Sequence, residues 1–482
     1  MKNIKISISI LVLFATICSC NLLDLPVKNN VEKKNFYKTE NDIKLAVTGA
    51  YGTLASLYYA NYVHFSELPS DNVHTTGESS DLSHLDKFSF SSVNSVLKSG
   101  WQNAYRCISN VNEILEAIPD IDFSSKEIHD QYLGEALFIR ALSYFNLVRM
   151  FGDLPLVDRV ITQEEARNMT RTSAETIYSK LIIPDLTNAI NMLPAKYGEE
   201  NIGHATKWAA ASLLGKVYLT IHDYEGAEDI LRQVIDAKAY SLLPNYADIF
   251  NPDNANHAES IFEIQFEKSR TGGSFWSCAA HNQSLSAEFG VACASATMPT
   301  ASIRNAMDPA SARYAASIGR GKNNGPYYIK KHYMELSIQN HSDDNWPVLR
   351  YADVLLMYAE ASNELTEAPS ATAIECVNKI RRRAYGLDID TVSPEHDLTP
   401  ADIVDKETFR HVVWDERRVE LAFEGHRWFD LVRTGEYYNV MNEHFAEEFG
   451  GVYNVESYNN LFPIPQYEID VNPNLAPNNP GY

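Results

Sequence analysis

Apolar residues return at three- and four-residue intervals through most of this chain, and that period sets the fold class before any single motif does. Residues 41–57 carry Ile43, Leu45, Ala46, Ala50 and Leu54 at this spacing, and 101–118 carry Tyr105, Ile108, Val111, Asn112 and Leu115. Residues 129–151 continue the pattern through Leu133, Ala136, Leu137, Ala141, Tyr144, Phe145 and Val148, with Gly152 as terminator and Pro155 just beyond. Thr172-Ser173-Ala174-Glu175 is a capping-box pattern that opens the next helix. Two helix pairs are expected, 205–221 with 224–235 and 348–365 with 371–385, and 409–434 reads as one strongly charged helix.

In the first pair, Leu214-Gly215, Tyr218, Ala227 and Leu231 resemble the spacing of a tetratricopeptide repeat, with Ala211 where Trp is usual. Small residues let two such helices approach, and large ones fill the groove between them. A chain of 482 residues is too long for one ordinary core but suits a repeat-built body. The fold expected is therefore mainly α: a helical body over 41–240 and 347–435, a loop-rich insert at about 241–346 with a few short strands, and a tail at 436–482. Within the insert, 260–266 alternates as a strand, with Phe262, Ile264 and Phe266 inward and Ile261, Glu263 and Gln265 outward. Long loops on a helical body commonly carry function.

The N-terminus carries Lys2 and Lys5, then an apolar stretch from Ile6 to Ile17, then Cys18-Ser19-Cys20. This predicts a secretory signal over 1–19, too short to span a membrane. Its end resembles a bacterial lipobox, in which a Cys after small residues becomes the lipidated first residue. Cys20, preceded by Ser19, fits better than Cys18, preceded by Ile17; the third reading is an ordinary cleaved signal with chance cysteines. Residues 20–40 then form a tether, and no later apolar run reaches membrane-spanning length. Four cysteines remain, Cys107, Cys278, Cys293 and Cys376, too dispersed for a zinc site or a disulfide scaffold. Cys278 and Cys293 could close one loop.

The formal net charge of −22 repels a phosphate backbone, so nucleic acid is a poor partner. Glu416, Glu420 and Glu424 recur every four residues, which suggests acid–base work. A glycosidase, however, needs two carboxyls across a cleft, whereas one helical face offers a row open to arginines three or four residues away. Structural ion pairs are the expected reading. There is no H-E-x-x-H, no G-x-S-x-G and no Gly-rich phosphate loop, so no enzyme activity, metal or cofactor is expected.

Five stretches together resemble the SusD/RagB family of outer-membrane lipoproteins. They are Cys20 with Leu23-Asp24; Glu135-Ala136 through Arg140-Ala141, Tyr144-Phe145 and 151–156 (FGDLPL); 350–361 (RYADVLLMYAEA); Glu416-Arg417-Arg418 with 420–431 (ELAFEGHRWFDL); and the terminal Asn479-Pro480-Gly481-Tyr482. The resemblance implies four tetratricopeptide-like helix pairs with a variable loop-rich part. It implies a lipid-anchored protein on the outer membrane, facing the exterior, that sits as a lid on a SusC-like TonB-dependent transporter. Its ligand would be a glycan, or in some relatives a peptide or glycopeptide.

A glycan needs flat apolar faces for its C–H side and polar groups for its hydroxyls. The loop aromatics Phe275, Trp276, Tyr327, Tyr328 and Trp346 are the candidates for the first. Asp71, Asn72, His74 and Asp81 in the loop 70–89, with His281 and Asn282, are candidates for the second. Trp346 also reads as core, because it precedes Pro347 and the 350–361 motif. Trp101, Trp208, Trp414 and Trp428 fall on helix patterns and are expected in the core. The competing functions are peptide capture, a surface glycoside hydrolase, which would need cleft carboxylates, and a pure interaction scaffold, which would lack an aromatic loop cluster.

Overall fold

The structure, a computed structural model, describes residues 36–59, 61–75, 80–267, 297–332, 342–399 and 401–482. Its longer helices are α1 (Glu40–Tyr58), α2 (Ser95–Ala117), α3 (Lys126–Phe151), α4 (Ile183–Met192), α5 (Lys207–Thr220), α6 (Tyr224–Asp236), α7 (Tyr351–Leu365), α8 (Ala371–Ala384), α9 (Lys406–Glu420), α10 (Arg427–Thr434) and α11 (Tyr437–Phe449). Among the described residues there are six short strands, β1 (Val73–Thr75), β2 (Ser260–Ile264), β3 (Thr297–Pro299), β4 (Ile318–Arg320), β5 (Tyr327–Ile329) and β6 (Trp346–Arg350). They pair antiparallel as β1–β3, β2–β6 and β4–β5.

From α1 to α8 each long helix packs on the next, and α9 closes the series on α7 and α8. This serial stacking is how a helical repeat builds one continuous core from elements that cannot bury their apolar faces alone. The mainly-α, tetratricopeptide-like expectation is met. Helix starts carry local side-chain caps: Thr39 and Asp42 form a capping box on α1, and Asn94, Ser125, Thr206 and Asp223 cap α2, α3, α5 and α6.

The α5–α6 contact has the predicted chemistry. A Cβ at Gly215 would lie 2.5 Å from the Leu231 side chain, so only glycine lets the two helices come this close. Gly215→Val is expected to destabilise the protein by about 1–3 kcal/mol through overpacking. A urea midpoint no lower than that of the parent chain would contradict this contact.

Three local expectations need correction. The helix after Thr172 is capped by Ser173, whose hydroxyl accepts from the Thr176 amide, so Glu175 is not the reciprocal partner. Strand β2 is covered on both faces: Ile261 and Glu263 are buried beside Phe262 and Ile264, because β2 pairs with β6 inside the helical body. The stretch 409–434 is not one helix. It breaks between α9 and α10, where Phe423 (φ 67°) and Gly425 (φ 80°) take left-handed backbone. The tail contains α11 and is tied down by Asn479, whose Nδ2 donates to the carbonyls of Phe151 (2.9 Å) and Phe462 (2.7 Å). Among the described residues, no helix is long and apolar enough to cross a membrane.

Candidate functional site

Glu416, Glu420 and Glu424 of the charged segment are consumed by structure. Glu420 Oε1 meets Arg350 at 2.6 Å and Arg383 at 2.5 Å, and its Oε2 meets Arg313 at 3.1 Å. Glu424, in the turn after α9, accepts from Arg350 Nε at 2.6 Å and from Lys331 at 2.9 Å. Glu416 pairs with Arg313 at 2.6 Å. These groups are buried. Burial alone would raise the carboxyl of Glu424, yet Arg350 and Lys331 beside it hold it down at about 2. Lys331 itself is lowered by burial to about 8, against the pull of Glu424. Ion pairing was expected, but with arginines on the same helical face; the partners come instead from β6, α8 and the insert.

A second buried set spans the break, from Arg417 of α9 to Asp430 and Arg433 of α10. Asp353 of α7 receives Lys216 at 3.0 Å and Arg417 at 2.8 Å, and Arg433 joins Asp430 (2.8 Å) to Glu360. Asp71 belongs to a third. It is gripped by Arg427 (2.7 Å) and Arg418 (2.9 Å), which hold its carboxyl well below the usual range against the opposing effect of burial. Asn72 accepts from Arg418 at 3.2 Å, and both Asp71 and Asn72 are buried. These two candidate ligand residues therefore anchor α9 and α10 to the loop before β1. Trp346 lies in β6, is 2% exposed and stacks on His332 with centroids 5.4 Å apart. Asp81 accepts from the Ser95 amide at 2.9 Å at the start of α2.

Two candidates do come together. His74 on β1 and Tyr327 on β5 flank β3, which pairs with β1 and packs beside β5. Arg304, on the short helix after β3, stands over the Tyr327 ring at 4.1 Å, and its charge also acts on His74. Arg320 approaches the same ring at 4.9 Å. The His74 ring meets Phe449 edge-on at 5.9 Å, and Glu448 accepts from the Ala301 amide at 3.0 Å. Asp86 beneath accepts from the Thr75 amide and hydroxyl, and burial pushes it up to about 7. Both His74 and Tyr327 are half-buried. Tyr328 lies across Gly319 of the β4–β5 hairpin. Phe275, Trp276, His281, Asn282, Cys278 and Cys293 lie outside the described residues, as does Cys20. The insert candidates among them fall between β2 and β3 in the chain.

This corner offers an aromatic ring, a guanidinium, an imidazole and a carboxylate around three short strands. That is the chemistry of hydroxyl recognition over a flat apolar face. Arg304, Arg320 and Glu448 were not identified from the sequence, because nothing in their local pattern separates them from solvated charges. Among the described residues, no cluster of three or more His, Cys, Asp or Glu is placed to hold a metal ion. Of the helix tryptophans, Trp101 and Trp428 are buried, whereas Trp208 and Trp414 are half-buried.

Comparison with known proteins adds to this geometry. The family model described as the SusD family matches residues 301–482, and one described as starch-binding associating with outer membrane matches residues 25–219. A SusD-like protein of Formosa agariphila is 29% identical over 98% of this chain and 98% of its own. A SusD homologue from Bacteroides thetaiotaomicron superposes with a TM-score of 0.81 at 26% identity, covering 94% of this chain and 99% of that one. A laminarin-binding SusD-like protein superposes with a TM-score of 0.78 at 24% identity, covering 92% of this chain and 100% of that one. Two family models that fall on opposite ends of the chain, and relatives that align along its whole length, lead to one conclusion: this chain belongs to the SusD/RagB family.

Proposed function

We propose that this protein is a non-enzymatic glycan-binding lipoprotein of the outer membrane, anchored through Cys20 and facing the exterior, that hands its ligand to a SusC-like TonB-dependent transporter. The observation that carries the reading is the full-length likeness to a protein that binds laminarin. The description of the N-terminal family model supports the membrane association. The ligand surface in this reading is the β1–β3–β5 corner with Tyr327, His74 and Arg304, and Trp276 of the insert is a further candidate contact. A hydrolase has no support in the charged segment, because its buried carboxylates face arginines and a lysine across every short distance.

The test is calorimetric titration of residues 21–482 with laminarin, other neutral and acidic polysaccharides, and a peptide library. Tyr327→Ala and Trp276→Ala are each expected to weaken the bound glycan by about tenfold or more, the scale of an aromatic anchor. Tyr327 is half-buried, so its loss should leave the melting temperature close to that of the parent chain. Binding of peptides alone would replace the ligand class, and release of new reducing ends during the titration would overturn the non-enzymatic reading.

A further inference from the structure

Away from that corner, α2 forms one wall of a second cleft with a volume of about 620 Å³, within the range of small-molecule sites. Its other walls are the segment from Pro155 to Met169 and the C-terminal segment from Glu468 to Leu475. None of these segments contributes to the β1–β3–β5 corner. The apolar lining comes from Trp101, Tyr105, Pro155, Val157 and Ile161, and the polar lining includes Arg106, Ser109, Gln163 and Arg167. The walls are fixed to one another. Tyr105 donates to the Pro155 carbonyl at 2.9 Å, Gln102 donates to Glu468 at 2.9 Å, and Asn472 donates to the Met169 carbonyl at 2.8 Å.

The arginines make this cleft unusual. Nearly every described arginine is spent on a carboxylate, a carbonyl or an aromatic ring, as Arg140, Arg304 and Arg350 illustrate. Among the described arginines, only the side chains of Arg106 and Arg167 have no hydrogen bond, ion pair or ring contact, and both line this one cleft. Both are exposed. In a chain of net charge −22, two uncommitted guanidiniums on facing walls form a local positive site. The one carboxylate in the lining, Glu468, is already engaged by Gln102. Guanidinium is the side chain best matched to a planar carboxylate or a sulfate ester, which it can bind through two parallel hydrogen bonds.

We infer that the cleft between α2, residues 155–169 and residues 468–475 is a second binding site, which takes a saccharide bearing an anionic group. Arg106 and Arg167 hold the anion, Ser109 and Gln163 meet hydroxyls, and the apolar wall of Trp101, Tyr105 and Val157 takes the C–H face. The sugar part rests on the glycan-binding reading above; the anion recognition rests on the two arginines alone.

The experiment titrates residues 21–482 with oligogalacturonate as the carboxylate probe, a sulfated carrageenan oligosaccharide as the sulfate probe, and neutral laminarin as the reference. The parent chain, the double variant Arg106→Ala with Arg167→Ala, and the corresponding double lysine variant are compared. At least one acidic probe is expected to bind the parent chain and to lose about tenfold or more in affinity in the alanine variant, with partial recovery in the lysine variant. Which probe binds tells a uronate from a sulfate ester. Laminarin binding should not change, since its site lies elsewhere. Failure of laminarin alone would sink the neutral-glycan reading and leave this site standing. Failure of both acidic probes on the parent chain, or equal affinity in the parent and alanine chains, would overturn the inference.

Discussion

Replacing Arg350 with methionine is expected to destabilise the protein by about 3–5 kcal/mol, the cost of removing one partner from a buried ionic cluster. Arg350 is 2% exposed and reaches three carboxylates: Glu259 at 2.8 Å, Glu420 at 2.6 Å and Glu424 at 2.6 Å. Its Nη2 also donates to the Glu420 carbonyl at 2.8 Å, at the end of α9. Methionine fills most of the same volume, so the loss is electrostatic rather than a cavity. Arg383 remains on Glu259 and Glu420, Arg313 on Glu420 and Glu416, and Lys331 on Glu424, so four buried carboxylates then share three buried cations. The measurement is the urea midpoint by far-UV circular dichroism, with Arg159→Ala as the control. Arg159 also pairs with a glutamate, but on the open surface, where such pairs contribute little. A shift for Arg350→Met no larger than that of the control would show that the cluster does not hold β6 to the end of α9. A further variant, Arg350→Met with Glu424→Leu, should recover part of the loss, because it removes an uncompensated charge along with its partner.

That cluster also shows where sequence reading succeeds and where it stops. The helices were legible because their period is local: of the residues read on α1, Ile43, Ala50 and Leu54 are buried as a 3.6-residue repeat requires, whereas Ala46 is half-buried and Leu45 exposed, with Val47 on the buried stripe instead. The break in 409–434 was not legible, because its cause is distant. The Gly425 amide donates to Glu67 at 2.5 Å, and a Cβ on Gly425 would sit 2.9 Å from Ser66, 3.0 Å from Tyr62 and 3.1 Å from Trp346. Nothing within the charged segment announces those neighbours. The same holds for Asp71 and Asn72. Two polar residues after Pro69-Ser70 read as an exposed turn, yet Arg418 and Arg427, some 350 positions later, draw them inside. Of the candidate ligand residues, His74 and Tyr327 could be found by type and loop context. Arg304 and Glu448 could not, since their role depends on β1 pairing with β3 and on α11 packing against the short helix after β3.

Trp346 is the residue on which these two kinds of reading compete, and Trp346→Ala separates them. In sequence it is an aromatic of the loop-rich insert and a candidate platform for a sugar. In the fold its ring is sealed: β6 pairs Trp346 with Ile264 of β2, His332 lies parallel to it at 5.4 Å, and Gly425 passes over its edge. Deleting a large buried aromatic removes its transfer energy and leaves a cavity that the neighbouring strands can only partly close. The expected loss is about 3–5 kcal/mol of stability, with the affinity of the remaining folded protein for glycan unchanged. Tyr327→Ala should give the opposite pattern: affinity falls and the unfolding midpoint holds. The two variants, measured by urea titration and by calorimetry on the same glycan, form a crossed pair. If Trp346→Ala instead loses binding while its midpoint stays in place, the ring contacts ligand, and the ligand surface runs from the β1–β3–β5 corner inward to the β2–β6 ribbon.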